Sequence, residues 1–491
     1  MDSVTVHKKI IHGFLTLTFR RVLLLLITFF VTNVWLARIL APEIIGVFNI
    51  GTSILAFFTY FSDVGLAGAI IQKKDLNEDD IKTTFTIQQG LVATISTVII
   101  IFAPWFAQYY GLDNSGMWLI RALAIGFLLS SFKVLPSVLL ERRLEFRPQV
   151  LVEIVETVIH LSLLVYLSYQ NWGVTAYTVA VLARALAGTS LMYILAPIKI
   201  GLGISKASFR QLINFGVPFQ INSILALLKD RLVPLVVAGM VGPLGVSYIT
   251  WSMSIAFMSL EVMNNMSRVM FPAFARMQHD PDGLKQTLER TIFLTCLLFY
   301  PALFGTLAVA PSLVDHVVSS KWLPALPLIY LFAVNVFWAA LSTSFTNFLN
   351  AVGKIGITLK LMVMWTILEW LLVPLLTLNY NIYGVPLAQA IISFTSLIPI
   401  IIVTRMVKIN IISQVWRPLT ASIMMGVITF YATSYWSNLS YPLNQIIQND
   451  FISNVIVLLL MVLFGALVYG GLIFVIAKRQ IMASYKLLRN V

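Results

Sequence analysis

The chain has 491 residues, of which 59% are hydrophobic and only 11% charged, against roughly 25% charged in an ordinary soluble domain. With a mean hydropathy of +0.90 it cannot cover a soluble fold of this size with polar surface, which argues against a soluble enzyme, a nucleic-acid module and a disordered scaffold. The net charge of +13 must therefore be sorted by side of a membrane. The single cysteine, Cys296, allows neither an internal disulfide nor a thiolate metal cluster.

A membrane helix needs about 20 mostly apolar residues. In chain order, fourteen such runs occur: 14–38, 44–71, 83–107, 117–140, 147–168, 173–197, 209–235, 243–270, 289–310, 324–350, 356–378, 383–404, 417–436 and 452–477. The first follows His7-Lys8-Lys9, lacks a small-residue cleavage site and is longer than a signal-peptide core, so it reads as a helix. Residues 1–13 and 405–416 mix apolar residues with a few cations and read as segments lying flat at the inner interface. The connections are short, which predicts antiparallel neighbours in one bundle.

An even number of spans puts both termini on one side. With both termini cytoplasmic, 26 of the basic residues fall inside, 2 outside (Arg38 and Lys321) and 5 within spans. The acidic residues then split 10, 4 and 6. This is a strong positive-inside bias, and the opposite orientation would reverse it. The expected location is the cell (inner or plasma) membrane, multi-pass, and the basicity is a topology signal aided by anionic lipid headgroups. It gives no reason to invoke nucleic acid.

The sequence LARILAPEIIGVFNIGTSILAFF from Leu36 is echoed by VVAGMVGPLGVSYITWSMSIAFM from Val236. Pro42/Pro243, Gly46/Gly245 and Phe48/Tyr248 correspond with one or two gaps. Both stretches join an odd span to an even one on the outer side. Such a repeat predicts two six-helix lobes related by a pseudo-two-fold along the membrane normal. The expected division is 1–205 for the first lobe, 206–408 for the second, and 409–491 for two added helices and a tail. The fold class is all-α polytopic, with about 14 spans around a hydrated central cavity.

Four blocks carry a resemblance. They are LARILAPEIIGVF with FSDVGLAGAIIQKKDLNEDDIKTTFTIQ, KDRLVPLVVAGMVGPLGVSY, VMFPAFARMQHDP, and SKWLPALPLIYLF with NAVGKIGITLK. Together they resemble the Wzx-type flippases, the polysaccharide-transport branch of the multidrug/oligosaccharidyl-lipid/polysaccharide flippase superfamily. The resemblance implies a transporter that moves polyprenyl-diphosphate-linked oligosaccharide to the outer leaflet by alternating access, without covalent chemistry or a cofactor. The partners it implies are the lipid-linked oligosaccharide, membrane lipids, a coupling H+ or Na+, and polysaccharide polymerase or assembly proteins.

With the residues at the flanks of the runs set aside, eleven Asp, Glu, Lys and Arg residues count as lying in the spans: Asp63, Arg121, Lys133, Glu153, Glu156, Arg184, Lys229, Asp230, Arg231, Glu261 and Glu369. Each costs roughly 2.5–3.5 kcal/mol at the bilayer centre on insertion scales. A hydrated cavity accommodates them as a set. Arg121, near the outer end of its span, reads as a snorkelling anchor. Glu153, Glu156 and His160 share a helix face and suit a proton or cation relay; structural pairing with Arg142, Arg143 or Arg147 is the other reading.

Glu261, Asn264, Asn265 and Arg268 form one polar stripe and Thr52, Thr59 and Asp63 another. Either lines a cavity or bonds helices together. Asn335, Ser342, Thr346 and Asn350 face sugar hydroxyls or pack helices. Lys229-Asp230-Arg231 cannot all face one way; one salt bridge plus one lumenal residue is expected, and the family pattern has an Asp at Asp230. Lys133 and Arg184 are the preferred contacts for the lipid diphosphate, with Lys229, Arg231 and Asn335 beside them. Asp63, Glu153, Glu156, His160, Asp230, Glu261 and Glu369 are candidates for ion coupling. Pro218, Pro234 and Pro272 are expected to bend spans.

No phosphate-binding G-x-x-x-x-G-K-[ST] loop and no H-E-x-x-H or Cys/His metal spacing occurs. Two other functions stay open. One is a cation-coupled exporter of drugs or other small molecules, with a smaller, more aromatic cavity. The other is a membrane-embedded oligosaccharide polymerase or ligase, which needs a larger outer loop than this span assignment leaves.

Overall fold

The structure is a computed structural model that describes residues 24–62, 68, 70, 71, 73, 75–197, 201–210, 228–278 and 280–489. The side chains of 228, 229, 262, 264, 265, 268, 269, 272, 273 and 479–489 lie outside the description. Among the described residues the chain is helical and contains no strand.

We number the helices in chain order. In the first part are α1 (Leu24–Ile39), α2 (Pro42–Thr59), α3 (Glu78–Tyr109), α4 (Asn114–Ser131), α5 (Val134–Arg142), α6 (Arg147–Tyr169) and α7 (Val174–Leu195). The helices α8 (Val233–Phe257), α9 (Glu261–Arg276), α10 (Pro281–Ser312), α11 (Leu326–Ala351), α12 (Ile355–Tyr380) and α13 (Gly384–Ser393) follow. Last come α14 (Leu397–Val407), α15 (Ile411–Ala432), α16 (Trp436–Ile447) and α17 (Asp450–Arg489).

Eleven helical stretches among the described residues are long and apolar enough to cross a membrane. The longest, Ile355–Val407, has 53 residues. Asn381, at φ 52°, breaks it, and Gly384 then packs against the Thr377 backbone where a Cβ would overlap it. It therefore contains both the predicted runs 356–378 and 383–404. The helix α1 covers the described part of the first run. The seventh run, 209–235, lies largely outside the described residues.

Local chemistry sets the helix starts. The Asn77 side chain accepts from the Asp80 amide at 2.8 Å while the Asp80 carboxylate accepts from the Asn77 amide at 3.1 Å, a reciprocal cap that opens α3. Asp113 accepts from Gly116 N at 2.9 Å to open α4, and Asp280 from Gly283 N at 3.0 Å to open α10. Pro42 opens α2 after extended Ala41. Gly242, at φ 66° and ψ −177°, interrupts α8, and Pro243 restarts it. The two members of the sequence echo thus both carry a proline at a helix start.

Two expectations need correction. The run 44–71 is not one helix: α2 ends at Thr59, where the Ser62 hydroxyl takes the Thr59 carbonyl at 2.7 Å and draws the chain into a turn. The segment 405–416 does not lie flat as one piece. Lys408 adopts a left-handed conformation, φ 52°, and Asn410 caps the next helix through Ser413 N at 3.2 Å, so a tight turn joins α14 to α15. The connection after residue 436 holds α16. Trp436, at its start, is buried, stacks on His316 at 5.1 Å and donates to Asn454 at 2.8 Å.

The chain forms two compact units, Met1–Ser247 and Tyr248–Val491. In the first, Leu36, Val47, Leu119, Leu123, Leu164 and Tyr177 join α1, α2, α4, α6 and α7 in one apolar core. A second core joins Ile50 and Ile54 of α2, Ile99 of α3 and Ile120 of α4 to Ala238 and Val246 of α8. Here α2 and α8 approach so closely that a Cβ on Gly46 would overlap the Pro243 carbonyl. In the second unit, Phe293, Ala421 and Ile473 tie α10, α15 and α17, and Trp251 lies against Trp322 at 4.7 Å.

Large apolar side chains stay exposed around both units, among them Ile101, Ile194, Leu378, Leu467 and Val475. In water this surface would drive aggregation; in hydrocarbon it is the wetted face. Exposed aromatic side chains mark helix ends: Trp105, Tyr109, Trp118, Tyr169 and Trp172, the amphipathic rings that favour the headgroup level. The protein is a multi-pass membrane protein.

Candidate functional site

The clearest polar constellation is in the first unit and grows from a break between α4 and α5. Pro136 lacks an amide hydrogen, so the Phe132 carbonyl four residues earlier has no ordinary helical partner. The Tyr193 hydroxyl of α7 donates to that carbonyl at 3.1 Å. One turn earlier on α7, the Thr189 hydroxyl donates to the Leu129 carbonyl at 2.9 Å. From α3, Gln89 accepts from the Ser131 hydroxyl at 2.8 Å. The break is thus fixed from two sides, and Lys133 projects from it as the residue that precedes α5.

Lys133 Nζ forms an ion pair with Glu156 Oε1 of α6. The Glu156 side chain is 5% exposed, and its other oxygen lies 3.8 Å from Arg184 Nε of α7. Glu156 fits here because Gly188, one turn after Arg184, has no side chain; a Cβ there would overlap the carboxylate. His160, one turn further along α6 than Glu156, neighbours Arg184 and hydrogen-bonds the Ala180 backbone. Glu156 and Arg184 both sit near the middle of their helices, about 13–15 Å from the helix starts at 1.5 Å per residue.

Two cations therefore share one carboxylate, and the cluster keeps a surplus positive charge. The Arg184 side chain is 49% exposed, and among the described residues its terminal nitrogens have no hydrogen-bond or ion-pair partner. A guanidinium offers five donors in a planar fork, suited to an anion with several oxygens, such as a phosphate or diphosphate.

The structure brings Lys133, Glu156, His160 and Arg184 together. Neither of the Glu156 partners is among the arginines that the sequence offered for structural pairing; Arg142 donates to the Ile70 and Lys73 carbonyls instead. Glu153 is exposed at the edge of the cluster face. Asp63 and the Lys229 side chain lie outside the described residues, as do Pro218 and the side chains of Asn264, Asn265 and Arg268. Asp230 and Arg231 are exposed in a wide helical turn, Leu228–Leu232, that leads into α8.

In the second unit Glu261 is exposed at the start of α9 and Glu369 is half-buried in α12. Asn335 donates to the Gln389 carbonyl at 3.1 Å and so joins α11 to α13. The Thr52 and Thr59 hydroxyls bond the Phe48 and Leu55 carbonyls of their own helix at 3.0 and 2.7 Å. Arg121 stacks over Trp118 at 4.9 Å, consistent with an interfacial anchor.

Sequence reasoning missed Gly188, Thr189 and Tyr193, although their spacing around Arg184 on one helix was visible. It also missed a second polar assembly. Asp80, fully buried, pairs with Lys73 at 2.6 Å and hydrogen-bonds Ser208. Beside it, Thr83 and Thr86 accept from the Ser205 and Gly203 amides at 2.9 and 3.0 Å. The segment 201–210 is thereby docked onto the start of α3. The Asn77-x-x-Asp80 spacing was the available signal.

Comparison with known proteins places this fold. The chain is 24% identical over 338 residues to the lipopolysaccharide biosynthesis protein WzxC of Escherichia coli (strain K12), covering 68% of each. It is 22% identical over 343 residues to the succinoglycan biosynthesis transport protein ExoT of Rhizobium meliloti (strain 1021), covering 66% of each. Among solved structures, the lipid II flippase MurJ in an inward closed conformation superposes with a TM-score of 0.70 at 14% identity, over 94% of this chain and 100% of that one. An inward-facing MATE family transporter of the MOP superfamily gives 0.58 at 13% identity, over 77% and 94%. Residues 35–327, more than half of the chain, match the family described as polysaccharide biosynthesis protein, and the protein belongs to that family.

Proposed function

We propose that the protein is a flippase that carries a polyprenyl-diphosphate-linked oligosaccharide from the cytoplasmic to the outer leaflet for cell-surface polysaccharide export. The observation that carries this reading is the mid-helix cluster of Lys133, Glu156 and Arg184, with its surplus positive charge and the outward donors of Arg184. A diphosphate satisfies such donors; a neutral or cationic drug does not. Family membership and relatives that serve lipopolysaccharide and succinoglycan biosynthesis support the same substrate class.

In this proposal both termini are cytoplasmic, as the distribution of Lys and Arg favours. Spans 1–6 and 7–12 act as the rocking lobes around a hydrated cavity, and the last two spans are peripheral. The sugar head crosses in the cavity while the prenyl tail stays in lipid. Coupling to H+ or Na+ would use a membrane carboxylate such as Asp63, Glu156 or Glu261. A cation-coupled exporter is the competing function, and it has no need of Lys133 or Arg184.

Proteoliposomes loaded with labelled polyprenyl-diphosphate oligosaccharide test the proposal. The expected result is leaflet transfer faster than in protein-free vesicles. Equal rates, with uptake of cationic dyes instead, would favour the exporter.

A further inference from the structure

Glu156 has no evident place in a site built to hold an anion, yet it is the most buried member of the cluster. Its side chain is 5% exposed, against 22% for Lys133 and 49% for Arg184. An anion that approaches from the exposed side meets the guanidinium first and the carboxylate last. The two contacts of the carboxylate also differ. Lys133 is held directly, whereas Arg184 is reached only through Nε at 3.8 Å, beyond hydrogen-bond range. Among the described residues, the charged and titratable groups around it include Lys133 from the α4–α5 break, Arg184 and Tyr193 from α7, and Glu153 and His160 from α6 itself.

We infer that Glu156 is a resident competitor for Arg184: a carboxylate seated over Gly188 that a diphosphate group displaces from the guanidinium, and whose return releases the diphosphate. The inference rests on the reading of Lys133 and Arg184 as contacts for the lipid diphosphate. Glu156 keeps Lys133 throughout, so no buried charge is left unpaired at any stage. The ligand gains a cation that is half exposed and loosely held. A transporter must release what it binds, and an internal anion lowers the affinity of the site without removing its charge complementarity.

Gly188 supplies an independent handle. Every atom that a Cβ at Gly188 would meet first belongs to the Glu156 side chain. Gly188→Ala therefore lifts the carboxylate off α7, the helix that carries Arg184, and keeps every charge in place. Glu156→Gln removes the charge and leaves the shape. Both changes should act in the same direction.

The test measures binding of inorganic diphosphate, and separately of geranyl diphosphate, to the full-length protein in nanodiscs by titration calorimetry. Glu156→Gln and Gly188→Ala are each expected to tighten binding about tenfold and to slow release accordingly. Lys133→Gln and Arg184→Gln are expected to weaken it by at least a similar factor. Tightening for both probes assigns the recognition to the diphosphate itself; tightening for geranyl diphosphate alone would move it to the prenyl chain and overturn the inference. If Gly188→Ala binds as the wild type or more weakly while Lys133→Gln and Arg184→Gln lose affinity, the competitor role is overturned and the site stands. If Lys133→Gln and Arg184→Gln bind as the wild type, the site itself falls. Should Glu156→Gln fail to fold, Gly188→Ala decides alone.

Discussion

The Tyr193 hydroxyl of α7 hydrogen-bonds the Phe132 carbonyl at 3.1 Å, the carbonyl that Pro136 deprives of its helical partner. That bond makes a break in a membrane helix tolerable, because an unpaired carbonyl in hydrocarbon has no water to turn to. It also fixes the residue that follows, Lys133, toward α6. Tyr193→Phe removes the donor and leaves the carbonyl unpaired. A destabilisation of about 1–3 kcal/mol is expected, measured by thermal unfolding in detergent. An unchanged midpoint would mean that the break satisfies itself.

The Lys133–Glu156 pair is buried on the acid side. Removing one partner of a buried pair typically costs about 3–5 kcal/mol, whereas replacing both with apolar residues is often neutral. Glu156→Leu alone should therefore lower stability strongly. Lys133→Met added to it should recover much of the loss, with Arg184 free to reach solvent. Chemical unfolding of the two variants separates these outcomes; purely additive losses would show that the pair is not coupled.

How much of this was legible beforehand is uneven. The helices were, because an apolar run long enough to cross a bilayer has few other fates, and thirteen of the predicted runs contain a helix among the described residues. Lys133, Glu156 and Arg184 were singled out because ionisable groups are costly in lipid. Their partnership was not visible. It depends on which faces of α6 and α7 meet, and on a glycine whose only role is to make room. Of the docking of residues 201–210 only the Asn77-x-x-Asp80 cap was legible: the Thr83 and Thr86 hydroxyls meet amides 122 and 117 residues away in sequence, a pairing that no local pattern announces.

Gly46 meets the Pro243 backbone where any side chain would overlap it. Gly46→Val should separate α2 from α8 and lower stability by about 2 kcal/mol or more, as overpacking of a rigid contact does. The contact is backbone to backbone, so no side chain can rotate away. Wild-type expression and unfolding midpoint in the variant would show that this approach is not a fixed feature of the fold.

Asp80 anchors the segment 201–210 through Ser208, flanked by the Thr83 and Thr86 bonds. Asp80→Ala removes the ion pair with Lys73 and the contact with Ser208. Faster labelling of a cysteine introduced at Ser205 is expected, by about tenfold if a bond of roughly 1.4 kcal/mol is lost. Labelling at the parent rate would show that the bonds from the Ser205 and Gly203 amides to the Thr83 and Thr86 hydroxyls suffice.

The most direct measurement is the rate at which labelled polyprenyl-diphosphate oligosaccharide crosses the bilayer of proteoliposomes that contain the parent protein or the Lys133→Gln/Arg184→Gln double variant. Accelerated transfer is expected with the parent, and a rate close to that of empty vesicles with the folded double variant. Equal acceleration by both proteins would contradict this expectation, since the lipid diphosphate would then cross without the two cations on which the proposal stands.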